Sequence, residues 1–276
     1  LAFQNGFLNI PLVDLWVKEM GALIQAKYPE VELKKSSFSF IPTIDVDNAY
    51  AYKHKGFVRS MLGMANSLIS LRFNDFTRRI GVLLNLAADP YDKYNELIEV
   101  FTRTPQAKWF ILGGQWRKFD RNISLKKPAM RELLNRISNN FEVGIHPSYG
   151  SGSNIDRIKV EKELLEKAIE KKISISRQHY LRISLPQTYR TLSELGITHD
   201  YSMGCSNAVG FRASTCTPYK FYDLLDEKEL PLTIVPFQAM DRALLNEYSK
   251  EPVLAVQETL KIAKRVKEVG GVFIIL

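Results

Sequence analysis

Two carboxylates, one residue apart at the end of an apolar run, are the first groups in this sequence that could do chemistry: Thr43-Ile44-Asp45-Val46-Asp47-Asn48. Such a pair can divide its work, one acid binding a cation while the other stays free as a general base. The same acids could instead cap a helix in an exposed loop. The buried-looking run before them and the company of other polar strand ends favour a site. His146-Pro147-Ser148-Tyr149-Gly150-Ser151 offers an imidazole beside small, turn-forming residues, in a chain with four histidines. Neutral imidazole is a common ligand for zinc and similar ions. Arg177-Gln178-His179-Tyr180-Leu181-Arg182 adds a guanidinium able to grip a carboxylate in bidentate fashion and keep it ionised. His179 stays open between metal ligand, acid and hydrogen-bonded core residue.

These groups need a frame that brings them together. Residues 38–46, 109–112, 141–145, 173–176, 197–201 and 232–237 read as short apolar strands. Helical patterns fill 13–26, 128–137, 155–171, 187–195 and 252–269, with Gly196 and Gly270 placed to end two of them. Asp89-Pro90 reads as a helix start, with Pro in the first turn of a helix running to about Phe101. Strands alternating with helices predict a parallel sheet with crossover helices. Asp45, Asp47, His146, Arg177, His179 and Asp200 then all fall at C-terminal strand ends, the face where barrels of this class carry their active sites.

Composition agrees with one such domain: 276 residues, 45% apolar and 25% charged, enough to bury a full core. No stretch approaches the roughly 20 apolar residues that span a bilayer, so no membrane span is expected. Net charge is +8. The basic pairs Lys34-Lys35, Arg78-Arg79, Lys126-Lys127 and Lys171-Lys172 are scattered and read as solvated faces, so nucleic acid is not an expected partner. Cys205 and Cys216 lack metal-type spacing and could pair. The chain opens Leu1-Ala2-Phe3 without an initiator Met and closes on a strand-like 270–276, as expected of a piece of a longer protein. Cytoplasmic and cell-envelope placements are both open, as is oligomeric state.

At this point a resemblance enters. Thr43-Ile44-Asp45-Val46-Asp47 resembles the first motif of the NodB-homology polysaccharide deacetylases, carbohydrate esterase family four in its broad sense. His146-Pro147-Ser148 resembles the start of their second motif, and Arg177 lies where their third-motif arginine would. Leu195-Gly196-Ile197-Thr198-His199-Asp200-Tyr201-Ser202 is similar to the fourth-motif region. The likeness runs from about Ser37 to the end and is closest to a divergent branch that also has Gly210-Phe211-Arg212-Ala213. It implies an irregular (β/α)7 barrel over 37–276, with 1–36 a helical segment packed on it. It implies hydrolysis of N- or O-acetyl groups on an acetylated poly- or oligosaccharide.

The resemblance also implies roles. Asp45 would be the general base, oriented by Arg177, with Asp200 supporting both. Asp47 and His146 would bind a divalent metal ion, zinc first, with cobalt, nickel or manganese as alternatives. Where the family places a second histidine four residues on, this chain has Gly150, leaving His179 or Ser151 to complete the coordination. The family's late Leu-x-His motif would fall just past Leu276. These two departures give the alternative reading, a carbohydrate-binding pseudoenzyme on the same fold. Tyr149, Tyr180, Trp116 and Tyr201 could stack on sugar rings. Arg212 could contact substrate or pair with Asp223, and Gln238 and Asp241 are expected to line the pocket.

Overall fold

The computed structural model describes residues 2–34, 36–152, 154–249 and 251–276, so Leu1 and Lys35 of the Lys34-Lys35 pair lie outside the described residues. Along the chain run α1 (Leu12–Lys27), β1 (Ser39–Val46), α2 (Phe57–Ile69), α3 (Phe73–Leu83) and α4 (Tyr94–Phe101). Then come β2 (Lys108–Leu112), α5 (Pro128–Ser138), β3 (Glu142–His146), α6 (Ile155–Ile169), β4 (Ile175–Ser176) and α7 (Gln187–Glu194). The last part holds β5 (His199–Asp200), β6 (Tyr219–Asp223), β7 (Lys228–Ile234), α8 (Asp241–Tyr248), α9 (Pro252–Val269) and β8 (Val272–Ile275).

β2 explains the architecture. Its Trp109, Phe110, Ile111 and Leu112 are all fully buried, so both faces of the strand need cover. That is the condition of a parallel sheet wrapped by helices. The strands are ordered β6-β7-β5-β4-β3-β2-β1-β8, and every neighbouring pair is parallel except β6 with β7. Just past β7 the chain curls back onto β8. The Gln238 amide donates to the Ile274 carbonyl (3.1 Å), and the Leu276 amide donates to the Ala239 carbonyl (3.0 Å). The Ile274 amide donates to the Gln238 side-chain oxygen (2.9 Å). Seven parallel strands thus form the irregular (β/α)7 barrel expected, with β6 added outside the ring.

Alternate strand residues divide the core in two. Trp109, Ile111, Ile145 and Leu192 pack between sheet and helices, while Phe110, Ile175, Tyr201, Phe237 and Ile274 fill the interior. Gly144, opposite Phe110, makes room for that ring, since a Cβ there would lie 2.6 Å from it.

Four features depart from the sequence reading. Asp89 does not start a helix: its carboxylate accepts the amides of Ala51, Tyr52, Lys53 and Tyr91, tying two loops together, and α4 begins at Tyr94. Between Asn48 and Asp89, where no element was expected, α2 and α3 form a helical pair. Asp223 pairs with Arg190 (2.5 and 3.0 Å) instead of Arg212. Cys205 and Cys216 are both free thiols. At the N-terminal end, the Asp14 carboxylate on α1 accepts from Thr215 and Thr217 hydroxyls (2.8 and 2.7 Å) and from the Cys216 amide, which ties the helix to the barrel.

Candidate metal centre

The register puts the polar strand ends on one rim. Leu112 is level with His146, Ser176 with Asp200, and the Arg177 amide donates to the Ile145 carbonyl at 3.0 Å. Asp47 follows β1, His146 ends β3, and His179 opens a single-turn helix after β4. Donor atoms of these three residues lie within 4.8 Å of one another. His146 Nε2 is 3.2 Å from Asp47 Oδ1, and His179 Nε2 is 3.5 Å from Asp47 Oδ2. Both imidazoles are buried while the Asp47 side chain is 52% exposed, so the group has one open side.

Each ring is aimed by its other nitrogen. His146 Nδ1 lies 2.6 Å from the Arg177 carbonyl oxygen, which only a ring N–H can satisfy, leaving Nε2 to face Asp47. His179 Nδ1 lies 2.9 Å from Asp120 Oδ1 and is aimed in the same way. A carbonyl or carboxylate behind the ring is how proteins orient metal-ligating histidines. Burial alone would raise the Asp47 carboxyl, but hydrogen bonds and charge from His146 and His179 outweigh it and hold the group well below the usual carboxylate range. Burial pulls the His146 imidazole down, and the Asp45 and Asp47 charges overcome this and raise it. One carboxylate oxygen, two imidazole nitrogens and an open side form a donor set that could hold a divalent ion, of the kind found in catalytic rather than structural sites.

Asp45 stands beside this group. Its Oδ2 is 3.8 Å from His146 Nε2, and its Oδ1 accepts from Arg177 at 3.0 Å. The grip is a single bond, not the bidentate one expected. The same guanidinium nitrogen also donates to Thr43 Oγ1 (2.8 Å), Nε donates to the Tyr201 carbonyl (3.0 Å), and the guanidinium carbon lies over the Phe110 and Phe237 rings at 4.6 and 5.3 Å. Arg177 is fully buried. Asp200 accepts from the Ser176 and Ser202 hydroxyls (2.8 and 2.9 Å) and the Ser202 amide (3.0 Å), while Ser202 Oγ accepts the Gln178 amide (2.8 Å). It braces the strand end that carries Arg177 and His179. Burial pushes its carboxyl up against those hydrogen bonds.

No protein-family model matches the sequence, and no curated protein sequence matches it. Solved structures do. One assigned as a polysaccharide deacetylase of Mycobacterium smegmatis aligns with 89% of this chain and 78% of its own, at 14% identity and a TM-score of 0.53. Another assigned to the same class, from Pseudomonas aeruginosa PAO1, aligns over 87% and 77% at 10% identity and a TM-score of 0.51. The fold is that of the polysaccharide deacetylases.

On this deacetylase fold the remaining site candidates take distinct places. Gly150 is exposed, and a side chain there would approach the Arg157 and Arg117 guanidinium groups at 3.8 and 3.9 Å. The second imidazole near Asp47 comes instead from His179, on the next strand's loop. Ser151 donates its hydroxyl to the Ser148 carbonyl (2.6 Å), closing a turn beneath that loop. Tyr149 and Tyr180 form an aromatic group with Phe119 (4.3 and 5.9 Å between ring centres), and Tyr180 also flanks His179 at 4.5 Å. Trp116 is exposed beneath Arg59, whereas Tyr201 is buried against Phe110. Arg212 donates to the Gly204 carbonyl (2.9 Å). Both ends of the Gln238 amide are bonded to backbone, so that side chain serves barrel closure. Asp241 is exposed at the start of α8, and partial burial together with the Asp45 and Asp47 charges raises its carboxyl.

Sequence reasoning missed Asp120 and Glu161. Buried Asp120 joins His179 Nδ1 to the Tyr149 amide (2.8 Å), coupling two motif loops. Glu161, on α6, accepts the Ser148 amide (2.8 Å) and hydroxyl (2.6 Å), pinning the loop behind His146. Nothing in their sequence surroundings marks them; burial and their partners in the folded chain do.

Proposed function

We propose that this chain is a metal-dependent hydrolase that removes N- or O-acetyl groups from an acetylated poly- or oligosaccharide. The observation that carries the proposal is the Asp47–His146–His179 group, both rings aimed from behind, with a separate carboxylate, Asp45, at its edge. Asp47, His146 and His179 would hold the ion, zinc by the mixed nitrogen and oxygen donor set, with cobalt, nickel or manganese as alternatives. Such an ion supplies Lewis acidity to the acetyl carbonyl and acidity to the attacking water.

The chain's own residues do the rest. Asp45 takes the proton from the attacking water, and Arg177 holds that carboxylate against the barrel interior. Asp200 and its serines keep Arg177 in register. Water adds to the acetyl carbon, the bond to the sugar nitrogen or oxygen breaks, and a proton passes to the leaving atom as acetate departs. Asp241, exposed at the start of α8, can contact substrate. Tyr180, half exposed beside His179, offers a ring face to a sugar, with Tyr149 behind it and Arg212 a further candidate contact.

A second reading rests on one observation. Of the four histidines, His54 packs on Tyr50 and His199 is exposed at the other end of its strand, so none is left at the rim to protonate a leaving group. A chain of this kind could bind acetylated carbohydrate without turnover. Acetate release from acetylated oligosaccharides separates the readings. Turnover that disappears on chelation and returns with zinc is expected; carbohydrate binding with no acetate at any metal loading would sink the hydrolase reading.

Asp120 gives a sharper check. Asp120→Asn should keep the fold but weaken zinc binding by about 10- to 100-fold, because the ring behind the metal loses its charged partner. Calorimetric titration measures it, and an unchanged affinity would remove His179 from the ligand set.

A further inference from the structure

The first helix of the pair that follows the Asp47 loop is amphipathic the wrong way round for water. α2 buries Ser60 and Ser67, and Gly63 on the same face lies under the Arg79 guanidinium of α3. Outward it shows Phe57, 78% exposed, and Ile69, 82% exposed, with Val58 beside them. The connection and the end of α3 add exposed Leu71, Leu84 and Leu86. A surface helix in water hides its apolar stripe. In α2 the small and polar residues are inside.

Charge is gathered on the same element. Residues 53–88 contain six Lys or Arg and one acid, Asp75, and the neighbouring 115–127 contain five Lys or Arg and one acid, Asp120. The two segments touch. Arg59 lies over Trp116 (4.8 Å) and donates to the Arg121 and Asn122 carbonyls (2.9 and 3.2 Å), and Lys127 donates to the His54 carbonyl. Burial and the nearby Arg59, Arg79 and Arg121 charges pull the Lys55 amine down to about 8 in spite of Asp89. These contacts bring two of the basic stretches together, with Arg78 and Lys126 exposed.

We infer that the α2–α3 pair is an interfacial membrane-docking element, which lays its apolar side into an anionic lipid surface with its Lys and Arg residues at headgroup level. Apolar area joined to basic charge is what such surfaces select. A second copy of the chain fits less well, because a two-fold contact would set this cationic cluster against itself. Nucleic acid would satisfy the charge and leave Phe57, Ile69 and Leu71 in water. No helix among the described residues is long and apolar enough to cross a membrane, so the contact is with the surface. Because α2 rises from the loop after Asp47, docking would bring the barrel rim to the lipid boundary.

Flotation with phosphatidylcholine vesicles, with and without phosphatidylglycerol, tests the inference. Binding to the anionic vesicles should be at least about ten-fold tighter than to the neutral ones and should weaken with salt. An Ile69→Asp, Leu71→Asp protein and, separately, an Arg72→Glu, Arg78→Glu protein should each lose about ten-fold or more, with circular dichroism and melting unchanged. Absence of vesicle binding by the native chain at low salt would overturn the inference. So would an apolar variant that floats like the native chain, or duplex DNA binding or a Leu71-dependent dimer in place of vesicle binding. The assay reads no chemistry, so its failure leaves the hydrolase proposal untouched.

Discussion

Asp45→Asn is expected to cut acetate release by about 10²- to 10⁴-fold, the usual worth of a positioned general base, while zinc content stays that of the native protein. The substitution preserves size, and its amide oxygen can still accept from Arg177, so the buried guanidinium keeps its neighbour. What is lost is the capacity to take a proton from water. Asp45 is suited to that task because its second oxygen, 3.8 Å from His146 Nε2, borders the Asp47–His146–His179 group without being one of its three donors. Asp47→Ala makes the contrast, since it should lose zinc and activity together. Rates measured at saturating substrate, alongside metal content by mass spectrometry, separate the two. Native-like turnover in Asp45→Asn would end the base assignment, whatever the metal content.

Arg177→Met should destabilise the folded chain by about 3–5 kcal/mol, the typical result of removing one member of a buried ion pair. Arg177 is fully buried, and its departure strands the Asp45 carboxylate and the Tyr201 carbonyl, while the Thr43 hydroxyl keeps its bond to the Ile275 carbonyl. Methionine is chosen because its chain can occupy the slot between Phe110 and Phe237, so a cavity is not the cause of the loss. Urea unfolding of the two proteins gives the difference. A change below about 1 kcal/mol would mean that Asp45 finds water or another donor, and that Arg177 does not hold it.

Much of this molecule could be read from its residues in order. Apolar runs that stop at polar residues located β1, β3 and β4, because a strand buried on both faces must be apolar until it reaches the rim. The alternation of such runs with helical patterns was enough to expect a parallel sheet with crossover helices, to which the family resemblance added the barrel, and strand polarity placed Asp45, Asp47, His146 and Arg177 on one face. Other features were invisible in that order. α2 escaped because a helix with small and polar residues inside gives no inward apolar stripe to recognise. Asp89 misled because a carboxylate followed by Pro looks the same whether it caps a helix or collects loop amides.

The chain order thus determined which side chains stand at the rim, since strand polarity and burial are local properties of short segments. Which of them meet was decided by the folded barrel. Asp120 reaches His179 across 59 residues, and Arg177 reaches Asp45 across 132. Distances of that kind depend on sheet register and curl, to which every strand contributes, so no single segment carries them.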